Sequence, residues 1–175
     1  MRDYSEQPLT LRELSQILWA AQGITDPSRK LRSAPSAGAT YPIEIYIVTG
    51  VNGVEGLETG VYRYLVDSHE LLLVSKGDTR ERLSEASLGQ AWIAEAPVSL
   101  VIAAEYERTT RRYGDRGVRY VHMEAGHVAE NIYLEAAALN LGTVAVGAFD
   151  DKEVERVLGL PAAHEPLYVM PIGHI

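Results

Sequence analysis

No cysteine occurs in the 175 residues. That excludes thiol nucleophiles, CxxC redox pairs, thiolate-held iron–sulfur clusters and disulfides, and leaves the redox compartment open. Redox chemistry here would have to be carried by a bound cofactor. Long apolar runs are missing too. The longest lies near residues 97–104, far short of a membrane span, and the first ten residues are polar, without the apolar core of a signal peptide. A soluble, cytoplasmic protein with no membrane partner is expected. Positive charge is scarce: 16 Lys and Arg face 24 Asp and Glu, for a net charge of −8, which argues against a nucleic-acid surface, because phosphate neutralisation needs clustered cations. The one basic cluster, Arg108, Arg111, Arg112, Arg116 and Arg119, is broken by Asp115 and flanked by Glu105 and Glu107. It reads as a solvated or subunit-facing segment, with an anion site as the alternative. Internal repeats and linkers rich in Pro, Gly or Ser are absent, so residues 1–175 are expected to form one domain. The strings GxSxG, GxGxxG and GxxxxGK[ST] are absent as well, which leaves a hydrolase elbow, a dinucleotide fold and a P-loop unsupported.

What is present is periodic. Thr10-Leu11-Arg12-Glu13 has capping-box form, and Leu14, Ile17, Leu18 and Ala21 follow at helical spacing up to Gly23. Ile43, Ile45 and Ile47 alternate with Glu44, Tyr46 and Val48, which predicts a strand with one strongly apolar face. Residues 61–66 and 70–74 flank Asp67-Ser68-His69 as a hairpin, and Asp78 with Glu81 opens a helix ending at Gly89. Residues 97–105 suit a strand buried on both faces. Val121, Ala125, Val128, Ile132, Ala136 and Leu139 mark a long central helix over about 118–141. Residues 143–148 then read as a strand, 151–158 as a helix and 167–172 as a last strand. The hairpin disfavours a purely parallel doubly wound sheet, and an α+β fold with one mixed, largely antiparallel sheet flanked by helices fits best.

The segment from Arg32 to Pro42 collects small side chains directly before a buried strand: Ser33, Ala34, Ser36, Ala37 and Gly38. Small residues let backbone approach something flat, such as an isoalloxazine ring with its polar edge toward N–H groups and hydroxyls. An ordinary helix-to-strand turn is the competing reading. Elsewhere, Glu124-x-x-His127 has the i, i+3 spacing of di-iron carboxylate helices, but no second copy exists and no metal is expected. His122 reads as a surface residue and His127 as packing or interface, while Trp19 and Trp92 read as core or interface anchors.

Pro35-Ser36-Ala37-Gly38-Ala39-Thr40-Tyr41-Pro42, followed by Ile43-Glu44-Ile45-Tyr46, resembles the Pro-Ser-x-x-x-x-x-Pro signature of flavin nitroreductases, most closely the SagB-type branch. Further matches occur in order along the chain: Pro8-Leu9-Thr10-Leu11, Leu18-Trp19-Ala20-Ala21-Gln22-Gly23-Ile24-Thr25, Gly60-Val61-Tyr62-Arg63-Tyr64, Leu88-Gly89-Gln90, Glu124-Ala125-Gly126-His127, Leu139-Asn140-Leu141-Gly142-Thr143, Gly147-Ala148-Phe149-Asp150 and Leu167-Tyr168-Val169-Met170-Pro171-Ile172-Gly173. The resemblance implies a homodimer with FMN bound at the subunit interface. It places Pro35, Ser36, Ala37 and Gly38 along the ring or ribityl chain, and Gly147 and Ala148 near the N5 edge. Gln90 would bond the flavin's polar groups, or else be an exposed helix-end residue. Arg2 would meet the phosphate or the pyrimidine edge, since guanidinium suits either anion. His174 stands near where relatives carry a C-terminal cation and would replace it when protonated, or else fray. The implied activity is FMN-dependent transfer of electrons from NAD(P)H to a small acceptor such as a nitroaromatic or quinone. Alternatives are a flavin-binding or flavin-sensing module without turnover, and a SagB-type azoline oxidase acting on modified peptides. No side chain is singled out as a catalytic acid or base.

Overall fold

The computed structural model describes residues 3–175. Arg2 therefore lies outside the described residues. Helix α1 (Leu11–Gln22) begins as its capping box requires: the Thr10 hydroxyl accepts from the Glu13 N–H at 3.2 Å, and the Glu13 carboxylate accepts from the Thr10 N–H at 2.7 Å. Thr10→Ala is expected to cost about 1 kcal/mol of unfolding free energy, read from urea melts, because it leaves one of these N–H groups without its acceptor. Gly23 ends the helix by close approach, since a Cβ there would stand 2.5 Å from the Trp19 ring.

A short antiparallel pair, β1 (Ile24–Asp26) and β2 (Leu31–Arg32), comes next, and then a 3-10 turn at Ala37–Ala39. The remaining elements are β3 (Ile43–Thr49), β4 (Gly60–Leu65), β5 (Glu70–Lys76), α2 (Arg80–Ala86), α3 (Trp92–Glu95), β6 (Val98–Ala104), α4 (Glu107–Tyr113), α5 (Arg116–Ala138), β7 (Leu141–Thr143), α6 (Asp151–Leu158) and β8 (Glu165–His174). β3 to β8 form one six-stranded sheet in the order β5-β4-β3-β6-β8-β7, and every pairing within it is antiparallel.

Two apolar layers sandwich this sheet. On one face α1 and α5 pack through Leu14, Ile17, Val121, Val128 and Ile132 against Ile43, Ile45, Leu100 and Ile102. On the other, α2, α3 and α6 pack through Leu83, Ile93 and Val154 against Tyr46, Val48, Val101 and Val169. The fold is α+β, an antiparallel sheet flanked by helices, as the sequence pattern implies. No described helix is long and apolar enough to cross a membrane.

Four local expectations change. β3 is buried on both faces, because β4 and β6 flank it and helices cover both sides; Glu44 is thereby carried into the interior. The long helix is preceded by a separate α4, and Gly114 at φ +56° makes the break between α4 and α5. Residues 143–148 do not form one strand: β7 stops at Thr143, Val146 alone bridges to Val169, and Gly147 and Ala148 emerge in an exposed loop. β8 runs on to His174, whose backbone pairs with Leu141 and accepts from the Ser5 N–H at 2.8 Å, so His174 does not fray.

Candidate functional site

Pro35, Ser36, Ala37 and Gly38 form a turn seated on α4 and α5, held from several sides. The carbonyl of Pro35 lies 3.2 Å from Nδ1 of His127, and the Ser36 hydroxyl accepts the Tyr41 N–H at 2.9 Å. The Ala37 carbonyl takes the Thr40 hydroxyl at 3.0 Å, and that of Gly38 takes the Arg112 guanidinium at 3.3 Å. Gly38 stands at φ +59°, where glycine is favoured, and a Cβ there would meet the Tyr113 hydroxyl at 2.5 Å and Arg112 at 2.8 Å. The space beside Gly38 is therefore filled by the chain's own α4, while Pro35, Gly38 and Ala39 remain exposed. A bulky side chain at Gly38 would strain the apoprotein itself, so it cannot report on a ligand alone.

Gln90, Gly147 and Ala148 come together elsewhere. The Gln90 amide donates to the carbonyls of Ser87 at 2.7 Å and Ala148 at 2.9 Å, tying the α2–α3 junction to the loop before α6. Gly147 is exposed, and a Cβ added there would come no closer than 3.8 Å to anything, the nearest group being the Tyr168 ring. Open backbone of this kind can accept a flat ring without rearrangement. Gln90 sits between α2 and α3, while the Gly147 position faces Tyr168, which packs against the layer formed by α1 and α5. Among the described residues no hydrogen bond joins the 35–38 turn to Gln90, Gly147 or Ala148.

His174 sits at a third place, with Nε2 3.7 Å from the Glu13 carboxylate at the start of α1. It already faces a negative partner.

Behind the 35–38 turn lies a polar interior. Glu124 on α5 is 2% exposed. Burial, opposed by the Ser36 hydroxyl, Gln22 and the Arg32 charge, pushes its carboxyl up to about 7. Its Oε1 and the Gln22 Nε2 have no well-aligned hydrogen-bond partner among the described residues, while Gln22 Oε1 accepts from Arg32 at 3.0 Å. Arg32 in turn stacks over the Tyr41 ring, 4.5 Å from its centroid. Next to this lies a cleft of about 410 Å³ lined by Gln22, Arg32, Glu44, Arg63 and Arg108. In it Glu44 bridges Arg63 at 3.0 Å and Arg108 at 2.7 Å.

Sequence reasoning did not foresee that Arg112 and Tyr113 cover the turn, nor that Glu124, read as a possible metal ligand and as part of a family match, is buried. The Glu107–Arg111 ion pair at i, i+4 was a readable sign that the basic cluster begins on a helix. Nothing local in the sequence signals that Arg112 returns to residue 38.

Comparison with known proteins bears on this geometry. The Nitroreductase family matches residues 1–174. A protein of Methanocaldococcus jannaschii that carries a nitroreductase name is 53% identical over 173 residues, spanning 99% of this chain and 85% of that protein. The FMN reductase [NAD(P)H] of Bacillus subtilis is 26% identical, spanning 99% of this chain and 61% of its own length. A chain of the Escherichia coli microcin synthetase McbBCD complex superposes with a TM-score of 0.87 at 27% identity, over 98% of this chain and 66% of that one.

Proposed function

The chain belongs to the nitroreductase family, and from that membership we propose an FMN-dependent oxidoreductase that passes electrons from NAD(P)H to a small acceptor such as a nitroaromatic or quinone. FMN is the cofactor that membership implies, and it supplies the two-electron redox chemistry when bound. The chain's own part is to hold and orient it: the open backbone at Gly147 and Ala148 against one side of the ring, with Gln90 fixing that loop through the Ala148 carbonyl. Arg2, and His174 beside Glu13, are the proposed cations for the phosphate or the pyrimidine edge.

The observation that carries this reading is the family match over residues 1–174, taken with the open backbone at Gly147. We infer that the ring lies between two copies of the chain, with the 35–38 turn of one and the Gly147 loop of the other against it. The exposed apolar side chains Met123 and Leu134, which share one side of α5, and Trp19 on α1 offer apolar surface to a second copy. The proposed unit is therefore a homodimer in which residues 1–175 of each copy act as one FMN-binding domain.

A second reading, oxidation of azoline rings in modified peptides, is favoured by the likeness to the microcin synthetase chain. One experiment separates these. The purified protein is expected to sediment as a dimer, to release FMN on denaturation and to bleach on anaerobic addition of NADH or NADPH. Gly147→Leu should stay folded, because its side chain projects into open space, yet lose most of its FMN. Failure of the wild type to bind added FMN with micromolar affinity would overturn the flavin reading. Bound FMN that resists both nicotinamides but bleaches with a thiazoline peptide would favour the second reading, and resistance to all three a module without turnover.

A further inference from the structure

The cleft beside β3 carries three guanidinium groups, Arg32, Arg63 and Arg108, against two carboxylates, Glu44 and Asp67. Arg108 is fully engaged, its terminal nitrogens bonding the Tyr41 carbonyl and the carboxylates of Glu44 and Glu105. Asp67 is paired with Lys30 at 3.5 Å. The other two arginines are only partly used. Arg63 gives its Nε to Glu44 at 3.0 Å, and its two terminal nitrogens meet no acceptor among the described residues. Arg32 gives one terminal nitrogen to the Gln22 amide oxygen and stacks on Tyr41, but it forms no ion pair among the described residues. Both oxygens of Glu44 are already taken by Arg63 and Arg108. Pairing Arg108 with Glu105, Arg63 with Glu44 and Lys30 with Asp67 therefore leaves Arg32 without a counter-ion of its own. Burial lowers the Arg32 guanidinium below its ordinary value, and Glu44, Asp67 and Glu124 oppose this only from beyond ion-pair distance. A partly desolvated cation beside free donors is costly in an acidic chain unless an anion completes it.

We propose that this cleft binds a small organic carboxylate, its anionic end on the free donors of Arg32 and Arg63 and its apolar body along Ile43 and Leu65. The planar guanidinium fork matches the two oxygens of a carboxylate. One unbalanced positive charge, with Glu44 in the same cleft, suits a monoanion better than a phosphate dianion. The volume of about 410 Å³ is that of a small-molecule site, and the apolar wall of Ile43 and Leu65 rewards a ligand with a hydrocarbon part. None of Pro35, Ser36, Ala37, Gly38, Gln90, Gly147 or Ala148 lines this cleft, so the inference stands apart from the flavin reading above.

The test is isothermal titration of the full chain, as purified and again with FMN added, using benzoate, its neutral isostere benzamide and inorganic phosphate as probes. Benzoate is expected to bind in both preparations, with benzamide and phosphate each about tenfold weaker or worse. R63Q should weaken benzoate about fivefold or more, by removing the free fork. D67N should act in the opposite direction and tighten it about threefold, because it deletes a repelling charge at the rim. Circular dichroism and melting temperature check folding, and D67N, at an exposed position, keeps the test decisive should R63Q fail to fold. Absence of benzoate binding by the wild type, or benzamide or phosphate bound as tightly, would overturn the proposal. So would a benzoate affinity unmoved by D67N. Benzoate that displaces FMN or shifts the flavin absorbance would place the anion in the flavin site and overturn the assignment to this cleft, whereas failure to bind FMN at all would overturn only the flavin reading.

Discussion

Glu44→Ala is expected to lower the unfolding free energy by about 2–4 kcal/mol, somewhat less than the roughly 3–5 kcal/mol typical of breaking a fully buried ion pair. Glu44 is 9% exposed on a strand covered from both sides, and its two oxygens hold Arg63 and Arg108 separately. Among the described residues, removing it leaves Arg63 with no ion-pair partner and Arg108 with Glu105 and the Tyr41 carbonyl. The discount arises because both arginine side chains are about one-third exposed, at 31%, and part of their uncompensated charge can be solvated. Glu44→Gln keeps the shape and one acceptor, so it should lose about half as much. Burial alone would raise the Glu44 carboxyl, but hydrogen bonds and charge from Arg63 and then Arg108 overcome burial and hold it below the ordinary value. Because the folded value is depressed, this stabilisation is present above the unfolded pKa and is lost as pH falls through the folded one. Urea melts below pH 4.5 should therefore show the difference between wild type and Glu44→Gln shrinking. A constant difference down to pH 2 would contradict it.

Glu124 acts with the opposite sign. Its carboxyl is raised to about 7 by burial, against an unfolded value near 4.5. Between those values the folded protein keeps a proton that the unfolded chain has released, so stability is full below pH 4.5 and falls as pH rises through 7. At about 1.4 kcal/mol per unit, the loss is about 3 kcal/mol. Above pH 8 the curve should flatten, as both states are then ionised. Glu124→Gln removes the titration and should abolish the decline, so the variant is less stable than, or equal to, the wild type at pH 4.5 and more stable at pH 8. This is read on apoprotein and does not depend on any ligand. Together the two glutamates predict maximum apoprotein stability near pH 5, with Glu44 limiting the acid side and Glu124 the neutral side.

Both residues show how far the sequence could be read. The α5 stripe was legible because burial of one face of a helix writes a three-or-four period into the chain: Val121, Ala125, Val128, Ile132 and Ala136 are all buried. The α1 start was legible because Thr10 and Glu13 satisfy each other locally. Glu44 was not legible. It alternates with isoleucines like a solvent-facing residue, and only the arrival of Arg63 from β4 and Arg108 from α4 makes its burial tolerable. The short elements β1, β2, α3 and α4 carry too few residues for a period to register, and α4 was concealed by its charges.

The sequence by itself determined the class of fold, the order of the long elements and the small-residue turn at residues 35–38, because each of these depends on neighbours within a few positions. It also carried the ordered motifs by which the family resemblance was recognised. Only the tertiary structure decided that Gln90 clasps the Ala148 carbonyl, that Tyr113 and Arg112 lie over Gly38, and that His127 meets the Pro35 carbonyl. These pairs join residues 58, 75, 74 and 92 positions apart, and no local energy term links such positions until the sheet and α5 have packed.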